Sequence, residues 1–76
     1  MEQGKATFLL DPSHTVQKTP REISVAAGQT IMQALNSHGI VFRQPVVALV
    51  NGQTCDVSYC LQPGDVVRFF PQIAGG

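Results

Sequence analysis

The sequence has no tryptophan, one tyrosine, two histidines and two cysteines among its 76 residues. Cys55 and Cys60 are too few to staple a small secreted fold. Four residues separate them, with no second pair and no nearby histidine, whereas zinc takes about four such ligands. No metal is therefore expected, and the thiols read as small packed hydrophobes. Charge is scarce and balanced, with five Lys and Arg against five Asp and Glu and a net charge of zero. That excludes the basic stripe of a nucleic-acid or anionic-membrane binder and the acidic excess of a disordered chain. The longest purely apolar run is Val46–Val50, far short of the ~20 residues of a membrane span. Met1-Glu2-Gln3-Gly4-Lys5 lacks the apolar run of a signal peptide. The expectation is one cytoplasmic domain with reduced thiols.

Enzyme machinery is missing as well. The glycines at 4, 28, 39, 52, 64, 75 and 76 form neither a dinucleotide fingerprint nor a phosphate loop. His14 falls in a proline-flanked loop and His38 at a helix end, where its charge suits the dipole. Both read as structural or solvent-facing. Asp11, Glu22, Asp56 and Asp65 scatter near turns and read as solvating or turn-capping groups. So short a chain buries only ~60% of its unfolded surface, leaving no core to spare for a deep substrate cavity.

What is present is a pattern of elements. Ala6–Leu10 is rich in strand formers and stops at Asp11-Pro12-Ser13, a turn signal. Asp11–Pro20 reads as a long polar loop, part of which extends the flanking strands. Arg21–Val25 alternates polar and apolar residues like a half-buried strand. Thr30 and Gln33 form a capping box ahead of a helix over Ile31–His38. Ile31, Ala34, Leu35 and His38 make its stripe, with Gly39 as the C′ residue. Val46–Val50 reads as a strand buried on both faces. Asn51-Gly52 is a type I′ hairpin turn leading to a short return strand, Gln53–Cys55. Gln62-Pro63-Gly64-Asp65 has type II turn chemistry, and Val66–Phe70 is the last strand, ended by Pro71. Strand, strand, helix, strand, short strand, strand gives an α+β layer with one helix on a mixed sheet.

The chain closes on Gly75-Gly76. A terminal glycine has no Cβ, so its carboxylate is the least hindered a protein can present, and two glycines thread a slot where side chains would clash. Residues 71–76 reach at most ~20 Å, enough to enter a partner's active site while the folded body stays outside. The α-carboxylate, with a pKa of about 3.5, is an anion and a poor electrophile. Adenylation by a partner using ATP would give a mixed anhydride, from which a persulfide or thiolate displaces AMP. Ordering six residues costs on the order of 10 kcal/mol. Pro71 reduces this by fixing one φ, and the folded body must supply a docking surface. In the last strand Val67 and Phe69 point one way and Val66, Arg68 and Phe70 the other. Phe70, nearest the tail, is expected to be partly exposed and to anchor a partner.

Val47-Ala48-Leu49-Val50-Asn51-Gly52, Gln62-Pro63-Gly64-Asp65 with Val66-Val67, and Phe69-Phe70-Pro71-Gln72-Ile73-Ala74-Gly75-Gly76 resemble the ThiS/MoaD sulfur carriers. The resemblance runs roughly from Ala6 to Gly76 and is most specific in the last thirty residues; the N-terminal third matches only in element order. It implies a ubiquitin-like β-grasp domain over residues 1–70, with a mixed sheet of four to five strands and one helix packed on one face. It implies a flexible C-terminal tail over residues 71–76. Gly76 is then the adenylated and thiocarboxylated residue, Gly75, Ala74 and Ile73 are read by the partner during tail recognition, and Phe70 and Pro71 bind it. The implied partners are a ubiquitin-activating-type adenylyltransferase, MoeB/ThiF-like, and a sulfur acceptor. That acceptor is the large subunit of molybdopterin synthase or the thiazole synthase. No cofactor is bound, and ATP is used by the activating enzyme.

The chain is therefore expected to be a co-substrate rather than an enzyme, although it could be counted as the small subunit of molybdopterin synthase. Phe69-Phe70-Pro71 looks like the molybdenum branch and Gln72-Ile73-Ala74 like the thiamine branch, with molybdenum slightly favoured. The Asp11–Pro20 loop departs from the short thiamine carriers. Two alternatives compete: a protein modifier forming isopeptide bonds through Gly76, and a TGS-type binding module that never uses its terminus.

Overall fold

The computed structural model describes residues 4–72. The elements run β1 (Lys5–Leu9), a 3-10 turn (Pro12–His14), β2 (Glu22–Ala26), α1 (Ile31–Ser37), β3 (Val46–Val50), β4 (Gln53–Cys55) and β5 (Val66–Pro71). The strands form one sheet in the order β2-β1-β5-β3-β4. β1 and β5 are parallel, and the other neighbours are antiparallel. The helix covers one face of this five-stranded mixed sheet, which is the α+β, ubiquitin-like β-grasp arrangement.

Period-two patterning builds the core. Phe8 lies opposite Ile23 on β2 and Val67 on β5, so their side chains share the helix face. Ala48 and Val50 on β3 join them opposite Phe69 and Val67. Ile31, Ala34 and Leu35 of α1 close the cluster. Phe8 and Phe69 meet edge to face, ring centres 5.1 Å apart, and Phe42 packs on the other side of Phe69 at 5.2 Å. Burying each such side chain contributes about 1.5–3 kcal/mol.

A seven-residue helix is marginal alone, and its ends show how this one is held. Thr30 accepts from the Gln33 N–H at 3.1 Å, and the Gln33 side chain accepts from the Thr30 N–H at 2.9 Å. The Ile31 and Met32 N–H groups donate to the carbonyls of Tyr59 and Val57. The first-turn donors that a helix leaves unpaired are thus satisfied from the β4–β5 connection. At the other end Gly39 N–H bonds Asn36 O and Ile40 N–H bonds Leu35 O, the Schellman pattern.

Several expectations need correction. His38 is the exposed C-cap, not a stripe residue; the buried residue beyond the helix is Ile40. β3 buries only the face carrying Ala48 and Val50, because nothing covers the side opposite the helix among the described residues; Val47 and Leu49 are half-buried. The Asp11–Pro20 loop does not lengthen its flanking strands. Asp11 instead accepts from the Ser13 N–H at 3.0 Å and hydroxyl at 2.8 Å, capping the 3-10 turn. Buried Thr15 forms a bridge with Phe42, Val16 N–H donates to Val41 O, and Arg43 donates to His14 O and Thr15 O. The loop is stitched to the segment before β3 because its backbone groups need partners that local sequence does not supply.

Pro71 does not end β5 but belongs to it, opposite Val46. Asn51 N–H donates to Val66 O, and Gln72 N–H donates to Pro45 O. The alternation of an antiparallel ladder therefore turns residues 66, 68, 70 and 72 toward β3, and Pro71 toward β1. β1 has stopped pairing at Leu9, opposite Arg68. The missing N–H of Pro71 costs nothing there, the edge position in which proline is tolerated.

Candidate functional site

The exit strand β5 organises the face opposite the helix. Val67 and Phe69 are buried inward, and Val66, Arg68 and Phe70 are exposed outward. The register sets Leu9 of β1 and Leu49 of β3 on either side of Arg68, and Val47 beside Phe70. Phe70 is 46% exposed, a large value for an aromatic side chain on a sheet. At the end of β1 an open cleft of about 160 Å³ is lined by Leu9, Leu10, Asp11, Arg68, Phe69 and Phe70. Small-molecule sites usually run to about 300–1,000 Å³, so this surface suits a protein partner better than a metabolite.

The root of β5 is fixed by a polar hub. Asp65, buried just before the strand, accepts from Tyr59 Oη at 2.8 Å, Gln62 N–H at 2.9 Å and Asn51 Nδ2 at 2.9 Å. Asn51 in turn accepts from Val66 N–H at 3.0 Å. Burial pushes the Asp65 carboxyl pKa upward, but the hydrogen bonds from Gln62, Tyr59 and Asn51 outweigh it and hold the group below its ordinary value. The same bond raises the Tyr59 phenol, with burial adding to it. Asn51 and Gly52 both have positive φ, 52° and 87°, as the expected type I′ turn requires. That conformation aims the Asn51 side chain at the hub. The reading of Asp65 as a scattered turn carboxylate missed this role. The available signal was the Gly64-Asp65 step before an apolar strand, paired with the Asn51-Gly52 turn thirteen residues earlier.

Of the residues singled out in sequence, Phe70 is exposed beside the cleft and Pro71 is half-buried in β5. Ile73, Ala74, Gly75 and Gly76 lie outside the described residues. His14 has its Nε2 3.9 Å from Asp11, and His38 lies exposed at the C-cap of α1. Cys55 packs against the core, and Cys60 is exposed. Among the described residues no group of three His, Cys, Asp or Glu side chains could hold a metal. No helix among them is long and apolar enough to cross a membrane. Sequence alone missed that Leu9 and Leu49 flank Arg68, because strand register is not written locally.

No curated protein and no solved structure matches the chain. The ThiS family model matches residues 10–76, from the end of β1 through both terminal glycines. With the β-grasp sheet, the outward apolar face and a match over most of its length, the chain belongs to the ThiS family of small sulfur carriers.

Proposed function

We propose that Gly76 is the working group of this carrier and that the folded body presents it. The Gly76 carboxylate attacks the α-phosphorus of ATP in an adenylyltransferase, and pyrophosphate leaves. A persulfide sulfur then attacks the acyl carbon, and AMP leaves. A second thiol cleaves the sulfur–sulfur bond, forming a disulfide and freeing a terminal thiocarboxylate. Gly75, Ala74 and Ile73 are the stretch read by the enzyme's channel, where the absence of Cβ atoms at the glycines admits them to a narrow slot. Phe70 and Pro71 seat the body on the partner. Family membership supports an adenylyltransferase and a sulfur acceptor as partners in general. We assign molybdopterin synthesis as the receiving pathway, on the Phe69-Phe70-Pro71 exit sequence.

The observation that carries the reading is a family match over residues 10–76, which takes in both terminal glycines. The test is intact mass of the chain recovered from its own cells. A fraction should be heavier by the exchange of one oxygen for one sulfur, and removing Gly75 and Gly76 should abolish it. Only free acid, beside a demonstrably active adenylyltransferase, refutes the reading. Incubating thiocarboxylated chain with each acceptor decides the branch, with sulfur expected to move to the molybdopterin synthase large subunit and not to the thiazole synthase. A lysine isopeptide linked to Gly76 in cell extract would point instead to a protein modifier.

A further inference from the structure

We propose that two copies of this chain join through the free edge of β2, antiparallel and centred on Ser24, into one continuous sheet. The proposal is independent of the chemistry at Gly76. β2 is an end strand, with β1 on one side and nothing paired to the other among the described residues. Leu10 N–H donates to Arg21 O, and Ala27 N–H donates to Gly4 O. The odd-numbered residues of this segment therefore turn their backbone groups toward β1, and Glu22, Ser24 and Ala26 turn theirs outward. Ala26 O accepts from Gln29 Nε2 at 2.9 Å and keeps a second lone pair. Proteins blunt such edges with lysine, proline or a bulge. β2 contains neither lysine nor proline, and its register with β1 is unbroken from Glu22 to Ala26. The other edge strand, β4, has only three residues.

The edge is complementary to itself. A two-fold axis sets Ser24 against the partner's Ser24 and Glu22 against the partner's Ala26, and each such pair exchanges both backbone bonds. No charge meets its like at the centre. On the helix face Ile23, half-buried at the edge, comes against the partner's Val25 as an apolar cross-strand pair. On the outer face Lys5 lies opposite Ala26, so the row across the edge runs Lys5, Ala26, the partner's Glu22. Two strand spacings, about 10 Å, separate the ends of that row, with only a small side chain between two long ones of opposite charge. Lys5 and Glu22 are both exposed, and neither has an ionic partner among the described residues. Within one copy they sit at opposite ends of the β1–β2 ladder, so they meet only across the edge. The contact is isologous and closes on itself. β5 lies two strands in from this edge, so both last strands stay open to other proteins.

The test is sedimentation equilibrium of the full chain from roughly 10 µM to about 1 mM, with amide hydrogen exchange across the same range. So short an edge makes a weak pair, with a dissociation constant on the order of 0.1 mM. The Glu22, Ser24 and Ala26 amides should gain protection as the dimer fills. S24P removes an N–H that the single chain leaves unpaired, and an edge strand tolerates it there. It should melt near wild type and stay monomeric. S24K keeps that N–H and sets two like charges opposite each other, so it should weaken association about tenfold. At low salt E22K and K5E should each weaken it about fivefold, and the K5E/E22K double variant should recover it. A chain monomeric at every concentration overturns the inference, as do S24P and S24K associating like wild type or a double variant no tighter than its parents. Protection of these amides only on adding a different protein assigns the edge to a foreign strand and also overturns it.

Discussion

Replacing Asp65 with asparagine tests whether the polar hub holds the exit strand. The change keeps shape and removes charge. One oxygen remains, and it can keep either Tyr59 Oη with Gln62 N–H, both on Oδ2, or Asn51 Nδ2 on Oδ1. Keeping the first pair sets the new amide nitrogen against the Asn51 amide nitrogen, donor against donor. Asn51 cannot flip without losing its bond from Val66 N–H. One hydrogen bond is lost and two lose their charge assistance. Because Asn51 is exposed and recovers water, D65N should cost about 1–3 kcal/mol. For a domain of this size that lowers Tm by roughly 5–20 °C.

The assay is thermal unfolding followed by circular dichroism at a series of pH values. The Asp65 carboxyl is held below its ordinary value of 3.8 in the folded state. Its stabilisation is therefore complete above that value and is lost as pH falls through the lower folded value. The gap between wild type and D65N should be constant from neutral pH down to that region and narrow below it. The N51D/D65N double variant should recover part of the loss, since a carboxylate at position 51 can accept from both Val66 N–H and the new amide, with a coupling of about 0.5–3 kcal/mol. A D65N protein that melts with wild type at neutral pH, or a gap unchanged at low pH, refutes the hub.

Two further changes probe the frame around the site. T30A removes half of the capping box and should cost about 1 kcal/mol, read as a lower denaturant midpoint at unchanged m. G4A places a Cβ 2.7 Å from the Pro63 Cβ at a residue with φ of 79°. Strain and overlap together should destabilise by about 1–3 kcal/mol, and a G4A protein as stable as wild type would show that the contact between the N-terminal segment and the 62–65 turn is not tight.

Local chemistry was sufficient for much of this protein. The Thr30 and Gln33 box, the Asn51-Gly52 turn, the Pro63-Gly64 turn and the inward and outward alternation of β5 are each decided within a few residues. They need only backbone preference and side-chain period, so the order of strands and helix, and with it an α+β layer, could be read directly, whereas the β-grasp arrangement was implied by the resemblance to the sulfur carriers. The exposure of Phe70 followed from the same alternation. What required the folded chain were matters of long-range register. The parallel pairing of β1 with β5 places Leu9 next to Arg68, and the β3–β5 ladder places Leu49 on its other side. Asp65 meets Tyr59 and Asn51 only because two turns converge at the root of β5. The Asp11–Pro20 loop finds partners for its backbone at Val41 and Arg43, and for the Gln17 side chain at Gly39 O, far along the chain. Pro71 stays in its strand because β1 has already departed on that side. Hydrogen-bond satisfaction and charge burial are settled by whichever groups the topology brings together, and a sequence read segment by segment holds no record of that meeting.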